Sequence, residues 1–411
     1  MRWRIAVLVS AAIAISYLDR QTLPVAIKAI THDIPLSNVQ FSYLQSAFLL
    51  AYAFTYAGGG KLADALGTKL GFTVVMLFWS LACLSHALAF NFAMLAISRF
   101  LLGMGEGGGF PAATRAVAEW FPVKDRSTAM GIVNAGTAVG AVAAPPLSAA
   151  ILLIASWRWI FVVTGLFGLA WVLWWRASYF LPVQPRDAAL SAEPASLSQI
   201  SWFDLFRIRE TWGLVFAKFL SDAAWYFYLF WLPKYLYDAR GFDIKAVGTF
   251  AWIPYAASGV GCLLGGSFSS YLIHRRTSAG AARKITLGLS AAVMPFILLV
   301  PYVRVSWALA LFSLAYFGQQ SWSTIVMVLP TDLFPRNVVG AVAGLVGFGG
   351  AMGGIAFGQL VGYLLDHGFG YGPVFRIAGS LHVAAFLIIL AAVPVVAPLE
   401  MNSKLHYEAA I

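Results

Sequence analysis

The sequence predicts an all-α integral membrane protein whose twelve transmembrane helices form two pseudo-symmetric six-helix bundles. Three observations predict this fold: the composition, the spacing of charge-free stretches, and a repeat between the two halves. Hydrophobic residues fill 60% of the 411 positions and charged residues only 11%, against about 25% charged in a typical soluble domain. Twelve spans of ~20 residues would use about 240 positions, close to the apolar total. The composition therefore excludes a soluble enzyme.

Charge-free stretches locate the spans, which we number 1 to 12 in chain order. Six stretches contain no Lys, Arg, Asp or Glu: 34–60, 70–98, 127–157, 246–274, 305–331 and 337–365. Shorter or singly interrupted stretches complete the count: 4–27, 97–118, 157–179, 212–236, 285–303 and 373–397. Each is expected to cross as a helix, which satisfies its own backbone hydrogen bonds in lipid. The N-terminal stretch resembles a signal peptide, but no convincing cleavage site follows it, so we interpret it as span 1.

The distribution of Lys and Arg predicts the orientation. With both termini in the cytoplasm, seventeen Lys and Arg fall in cytoplasmic segments, seven on the opposite side and three within spans. Because cytoplasmic loops carry the excess of basic residues, we expect a multi-pass protein of the cell (inner) membrane with both termini inside. The net charge of +10 then follows from topology and anionic lipid, and a nucleic-acid partner is not expected.

One segment divides the chain. Residues 181–211 are rich in Pro, Ser and charge, and we interpret them as a cytoplasmic linker. An N-terminal bundle of residues 1–180 precedes it, and a C-terminal bundle of residues 212–411, with a short cytoplasmic tail, follows. Within the linker, WFDLFRIR at 202–209 is compatible with an amphipathic surface helix and equally with plain linker.

The two halves repeat at one offset. EWFPVKDRSTAMG at 119–131 parallels DLFPRNVVGAVAG at 332–344, and the glycine pairs Gly136–Gly140 and Gly349–Gly353 follow at the same offset of 213 residues. Two homologous halves around a central cavity are the architecture of transporters in which one half rocks against the other.

Ionisable residues inside spans are the candidate functional groups, because each costs ~2.5–3.5 kcal/mol at the bilayer centre even on insertion scales. Arg99 and Glu106 in span 4 are seven residues apart and share a helix face, and glycines surround Glu106. Tyr17 and Arg20 share a face of span 1, while Asp19 points about 100° aside, and we expect it to face span 4 and Arg99.

Chemistry assigns roles to these groups. Arg20 suits a substrate carboxylate because its planar fork makes bidentate hydrogen bonds and keeps its charge. Tyr17 and Tyr52 are candidates for substrate hydroxyls. In span 7, we interpret Lys218 and Asp222 as an i, i+4 pair, with interfacial snorkelling as an alternative for Lys218.

The C-terminal half offers neutral polar groups instead. GQQSWS at 318–323 places Gln319, Gln320 and Trp322 in the middle of span 10. Gln319 follows Glu106 by 213 residues, so an amide stands where the first half has an acid. This asymmetry favours ion coupling in the first half and substrate recognition by Gln319, Gln320 and Trp322 in the second.

The loop between spans 2 and 3 resembles the signature loop of the major facilitator superfamily. It reads GKLADALGTKLG at 60–71, and Gly60, Asp64, Gly67 and Lys69 match the G-x-x-x-D-R-x-G-R-K pattern. The two glycines permit a tight turn, and Asp64 can cap a helix. Thr68 stands in place of one of the two arginines, which predicts a weaker loop salt bridge.

The chain also resembles the anion:cation symporters that carry sugar acids, hexuronate transporters in particular. YLDRQTL at 17–23, SRFLLGMGEGGGFPA at 98–112, FLSDAAWYFYLFWLPKYL at 219–236 and FAWIPYAASGVGCLLGG at 250–266 carry the resemblance. It implies that Asp19 and Glu106 bind protons, that Arg20 holds the anion, and that Arg99 links the two sites.

The resulting hypothesis is a proton-coupled symporter that imports a hexuronate or related sugar acid by alternating access, working as a monomer. The alternative is a proton-coupled antiporter that exports drugs or metabolites on the same fold. Such antiporters tend to carry a Gly-Pro motif in span 5, whereas Pro145 and Pro146 are displaced from the expected place after Gly140, which disfavours export. No nucleophile–base pair or metal-ligand spacing occurs, so no enzyme, metal or cofactor is expected.

Overall fold

The computed structural model describes residues 2–180 and 205–399, which form α-helices joined by short 3₁₀ segments and turns. The α-helices, in chain order, are α1 (Arg2–Asp33), α2 (Asn38–Ser85), α3 (Phe92–Glu106), α4 (Gly109–Trp120), α5 (Val123–Leu152), α6 (Arg158–Ser178), α7 (Arg209–Arg240), α8 (Ile244–Phe250), α9 (Trp252–His274), α10 (Ala279–Val293), α11 (Val305–Val326), α12 (Leu329–Leu333), α13 (Arg336–Asp366) and α14 (Tyr371–Ala392). They make the twelve passes that the composition predicts.

Several passes are divided or joined in ways that charge alone does not indicate. α2 holds spans 2 and 3 and turns sharply at Gly67, whose φ of 72° lies in the left-handed region that glycine adopts without steric cost. Span 4 is broken into α3 and α4 at Gly107 and Gly108. Span 9 begins as α10 and continues as a 3₁₀ helix over Met294–Tyr302.

The prediction that span 3 covers 70–98 is wrong at the C-terminal end of that span. α2 stops at Ser85, a 3₁₀ turn covers His86–Leu88, and α3 begins only at Phe92. Asn91 caps α3, since its side chain accepts a hydrogen bond from the Met94 amide. The charge-free stretch therefore runs through an uncharged turn, where polar caps rather than charges end the helices.

Eight helical segments of the described residues are long and apolar enough to span a membrane by length and composition. Passes 2, 4, 7 and 10 fall outside that set. Two of these carry buried charges, with Arg99 and Glu106 in pass 4 and Lys218 and Asp222 in pass 7. Asp19 and Arg20, by contrast, lie in pass 1, which belongs to the set of eight.

The internal repeat is visible as equivalent helix packing in the two bundles. A Cβ added to Gly136 or Gly140 on α5 would lie 2.3 Å from the Ser10 carbonyl oxygen or 2.0 Å from that of Ala14, both on α1. In the second bundle, Gly353 on α13 lies equally close to the Phe219 carbonyl of α7. These glycines let the first and fifth passes of each bundle approach closely, as small residues do in membranes.

The described residues show contacts between the two bundles toward one membrane face. We call the face where α1 begins the Arg2 face and the face where α1 ends the Asp33 face. At the Asp33 face, Asp366 on α13 accepts hydrogen bonds from the backbone amides of Asn38 and Val39 at the start of α2, each at 2.9 Å. Tyr255 on α9 donates to Gln21 on α1 at 2.9 Å. These contacts close the Asp33 face.

At the Arg2 face, the same helix surfaces have no partner within the described part of the chain. Gly131 lies seven residues from Ala138, which contacts Gly259 of the other bundle, so both share one face of α5. Yet no described atom lies within 4 Å of a Cβ placed on Gly131, Gly340 or Gly344. Among the described residues, these three glycines therefore have no packing partner.

The predicted linker and C-terminal tail lie outside the described residues, apart from a few at the linker end. The helix at 202–209 stays a prediction, since the described chain resumes at residue 205 and α7 begins at Arg209.

Candidate functional site

Arg20 lies at the centre of the candidate site. It sits on α1 and is 3% exposed. Its guanidinium carbon lies 4.6 Å from the ring centroid of Tyr17, 4.5 Å from that of Tyr52 and 5.4 Å from that of Phe48. Aromatic faces attract cations at such distances, most strongly where water is excluded. The structure thus brings together Arg20, Tyr17 and Tyr52, which the sequence proposes as binding residues.

Glu106 is the ionic partner of Arg20. The Nε of Arg20 donates to Glu106 Oε2 at 2.6 Å, and the Ser16 hydroxyl donates to the same oxygen at 2.6 Å. Glu106 is 1% exposed. The terminal nitrogens of Arg20 make no hydrogen bond within the described residues. One edge of the guanidinium therefore holds the carboxylate, while the Nη fork remains available for a second acid.

The glycines around Glu106 are used by neighbouring helices. A Cβ on Gly103 would lie 2.2 Å from the Phe48 carbonyl oxygen, and one on Gly105 would lie 2.6 Å from the Trp79 Cβ. α2 therefore approaches α3 along both of its passes. Glu106 is the last residue of α3, so the carboxylate stands at a helix break enclosed by α1 and α2.

Asp19 makes its hydrogen bond to the third pass, and the prediction that it faces span 4 and Arg99 stays a prediction. Asp19 accepts a hydrogen bond from the Cys83 thiol of α2 at 3.5 Å, and Cys83 in turn contacts Thr164 of α6 at 3.2 Å. Within the described chain no ion pair joins Asp19 to Arg99. One oxygen of Asp19 is therefore held by passes 3 and 6 through Cys83 and Thr164.

Arg99 is fully buried, and none of its three guanidinium nitrogens has an acceptor among the residues that the structure describes. Asp19 Oδ2 and Glu106 Oε1 are also buried and unpartnered among the described residues. Buried polar groups of this kind are normally satisfied by ordered water. The arrangement favours ordered water that links Arg99 to Asp19 and Glu106. These three groups and Arg20 all lie inside the first bundle.

The span 10 residues divide into two groups. Gln320 is half-buried and makes no side-chain hydrogen bond with described residues. Gln319 is buried, donates to Asp222 Oδ1 at 3.4 Å and contacts His382 Nε2. Trp322 is fully buried in the interior of its own bundle, with its ring 5.6 Å from that of His382. The Trp322 indole N–H has no acceptor among the described residues, and the substrate roles of Gln319, Gln320 and Trp322 stay predictions.

Lys218 does not snorkel to the interface. Its Nζ lies 2.8 Å from Asp222 Oδ1, and both side chains are 8% exposed. The predicted i, i+4 pair is confirmed.

The loop motif is described in part. The surroundings of Gly60 and the side chain of Asp64 are not among those described. Gly67 forms the turn. The Lys69 carbonyl accepts a hydrogen bond from the Trp175 indole at 3.0 Å. Thr68, which stands where an arginine is usual, donates to Glu119. The same carboxylate pairs with Arg115 at 3.1 Å, so Thr68 adds a hydrogen bond to an ion pair at this position.

Glu119 also accepts from the Tyr179 hydroxyl. Burial, followed by the hydrogen bond to that carboxylate, raises the pKa of Tyr179, so the tyrosine stays a neutral donor. In the second bundle, Arg283 pairs at 3.0 Å with Asp332, the counterpart of Glu119.

Sequence reasoning missed Ser16, Phe48 and Cys83. Ser16 lies four residues before Arg20 and shares its face, so periodicity could have indicated it. Phe48 and Cys83 come from α2, and no pattern in the sequence shows which of its faces meets α1.

Comparison with known proteins agrees with this architecture. The family model described as Major Facilitator Superfamily matches residues 9–358. The hexuronate transporter of Escherichia coli (strain K12) is 29% identical over 100% of this chain and 98% of its own, and the galacturonate transporter of Dickeya chrysanthemi is 32% identical over 72% and 89%. The inward-open xylose transporter XylE from E. coli shares the fold, with a TM-score of 0.76 at 13% identity over 96% of this chain and 97% of its own. The expected resemblance is confirmed, and the chain belongs to the major facilitator superfamily.

Proposed function

We propose that this protein is a secondary active transporter that imports an organic anion, a hexuronate or related sugar acid, together with protons by alternating access. The observation that carries the proposal is the buried Arg20. Its Nε binds Glu106, and its two Nη nitrogens make no hydrogen bond within the described residues. The relatives named as hexuronate and galacturonate transporters support the substrate class.

The geometry supports a coupling mechanism. A carboxylate bound at the Nη fork of Arg20 brings a second negative charge close to Glu106, and two close carboxylates cannot both remain ionised at low cost. Protonation of Glu106 removes the repulsion and releases Arg20 for the substrate. Proton binding and anion binding therefore favour each other, which is the requirement for symport.

The remaining residues take supporting roles. Tyr17 and Tyr52 flank the bound carboxylate and offer hydroxyls to the sugar, and Gln320 is the candidate binding residue of the second bundle. Asp19 serves as the second proton-binding group, and Arg99 lowers the cost of ionising both acids. One chain contains all of these groups, so the functional unit is a monomer.

The conformational cycle follows from the closed and open faces. By the distribution of basic residues, the Arg2 face is cytoplasmic and the protein lies in the inner membrane with both termini inside. The bundles then meet on the outside and diverge toward the cytoplasm, an inward-facing arrangement. Transport requires the outer contacts to break and the surfaces at Gly131, Gly340 and Gly344 to close.

Asp366→Asn is expected to shift the bundles toward opening of the Asp33 face. Asparagine replaces one carboxylate oxygen with an NH₂ group, which then faces a backbone N–H that Asp366 binds in the wild type. Loss of this charge-assisted hydrogen bond costs ~1–3 kcal/mol. We expect about tenfold more of the outward-facing form, measured from spin-label distances between exposed positions 35 and 369.

Asp33→Asn provides the matched control. Asp33 lies at the same face but binds Trp157 and Arg158 of its own bundle, so the distance distribution should not change. Equal distributions in wild type and Asp366→Asn would show that Asp366 is not a closing contact.

Transport is also expected to respond to membrane potential. If Asp19 and Glu106 each load a proton, a monoanionic substrate enters with net charge +1. One charge moved across ~100 mV contributes about 2.3 kcal/mol, or about fiftyfold in accumulation. Uptake at a fixed pH gradient, with the potential clamped by potassium and valinomycin, should rise when the lumen is negative, whereas uptake that ignores voltage would rule out the two-proton cycle.

Uptake of labelled sugar acids into proteoliposomes tests the function itself. We expect an inward proton gradient to drive accumulation of hexuronates above equilibrium, with neutral hexoses excluded because they lack a carboxylate for Arg20. Accumulation of hexoses, or hexuronate uptake unaffected by the gradient, would contradict the proposal.

A further inference from the structure

The second bundle buries an ion pair that the proposed cycle does not use. Lys218 and Asp222 lie one turn apart on α7 with Nζ and Oδ1 at 2.8 Å. Nζ also donates to the Ser323 hydroxyl of α11 at 3.0 Å. Gly350 on α13 lies directly over the pair, since a Cβ there would lie 2.3 Å from Asp222 Oδ2. The carboxylate is thus enclosed by three helices with a lysine as its only cation among the described groups.

This pair lies beside the pseudo-equivalent position of Glu106 in the second bundle. Gln319, which follows Glu106 by 213 residues, donates to Asp222 Oδ1 at 3.4 Å. Each bundle therefore buries a carboxylate between its first and fourth passes. In the first bundle the acid stands on the fourth pass and its cation on the first, whereas in the second bundle both charges stand on the first pass.

The two pairs differ in what can compete for the cation. Arg20 presents two unbonded nitrogens beside Glu106, so an external anion can reach it. Lys218 is a compact charge on a flexible stem, one turn from its acid, and both partners of its ammonium lie within its own bundle. The titratable groups that face the pair are Tyr226 on α7, Tyr17 on α1 and His382 on α14, while α11 contributes neutral Gln319 and Ser323 and α13 contributes Gly350.

We propose that Lys218 is a tethered counter-ion: its ammonium occupies the cation position of an ion site formed by Asp222, Ser323 and Gln319, so that Asp222 stays ionised through the cycle. The position suits a small monovalent cation, and a proton binds to Asp222 when the ammonium is removed. Proton loading is thereby confined to the first bundle, a consequence that rests on the proposed proton symport.

Burial explains why removing the lysine should recruit a proton. An ionised carboxylate without a partner is strongly disfavoured in a low-dielectric interior, and a group in that situation neutralises instead. Lys218→Met keeps the side-chain length and removes the charge. Lys218→Met/Asp222→Asn removes both charges, and Lys218→Arg preserves the cation.

Infrared difference spectroscopy of the purified protein tests the protonation directly. We expect Lys218→Met to gain the carbonyl stretch of one protonated carboxyl, sensitive to D₂O, which the double variant and Lys218→Arg lack. If Lys218→Met shows no band that Asp222→Asn removes, Asp222 does not depend on Lys218 for its charge and the proposal is wrong. Lys218→Gln gives the same comparison should the methionine variant fail to insert.

Transport supplies the second readout. The reaction order of uptake in external proton concentration is the quantity measured. We expect this order to be higher in Lys218→Met than in the wild type, by up to one, and to equal the wild-type order in the double variant. Equal orders in all three proteins, together with no infrared band that Asp222→Asn removes, would overturn the proposal. The infrared result does not require coupled transport, so wild-type uptake that ignores a pH gradient would refute the proposed function and leave this test standing.

Discussion

Arg20→Lys is expected to lower the affinity for a hexuronate by about 100-fold, equivalent to ~2.8 kcal/mol. In the wild type, Nε binds Glu106 at 2.6 Å while the Nη fork is free. A lysine ammonium is a single point charge, so Glu106 and the substrate would compete for it, and no bidentate contact could form. Binding of labelled substrate to the purified variants at fixed pH measures the loss.

Arg158→Lys is the matched control for this change. Arg158 also binds a carboxylate, at 2.8 Å, and lies 4.3 Å from an aromatic ring, but at the Asp33 face. It should keep wild-type affinity. Near-normal affinity in Arg20→Lys would remove Arg20 from the binding site.

Glu106→Gln is expected to abolish accumulation driven by a pH gradient while preserving substrate exchange. The amide resembles the protonated carboxyl, so it leaves Arg20 available to the substrate at every pH. Exchange between labelled and unlabelled substrate needs only binding and movement of the loaded carrier, whereas accumulation needs the proton to bind and leave. We expect counterflow within about threefold of wild type and a concentration ratio near one under a gradient.

The control removes an acid far from the site. Asp238→Asn breaks an exposed pair with Lys234 and should leave both measurements unchanged. Glu106→Gln that still concentrates substrate would assign coupling to another group, with Asp19 the remaining candidate in the first bundle.

The sequence predicts the architecture well because that part of the problem is periodic and compositional. Twelve passes follow from apolar length, and the 213-residue offset correctly pairs Gly140 with Gly353, which pack in the same way in the two bundles. The end of span 3 was predicted wrongly because an uncharged turn at 86–91 looks like membrane.

The site is less predictable, since a helix face indicates a direction but not a partner. The spacing of Tyr17 and Arg20 correctly placed both on one face, yet nothing in the sequence shows that Arg20 meets Glu106, 86 residues away. The sequence likewise does not show that Cys83 donates a hydrogen bond to Asp19 and contacts Thr164.

The central claim is that the anion and the proton enter together through the Arg20–Glu106 pair, and simultaneous recording of both fluxes tests it most directly. Proteoliposomes containing a luminal pH indicator are given external hexuronate without an imposed gradient. We predict that substrate addition acidifies the lumen at a rate proportional to labelled uptake, and that Glu106→Gln exchanges substrate without acidification. Uptake by the wild type with no luminal acidification would contradict the account.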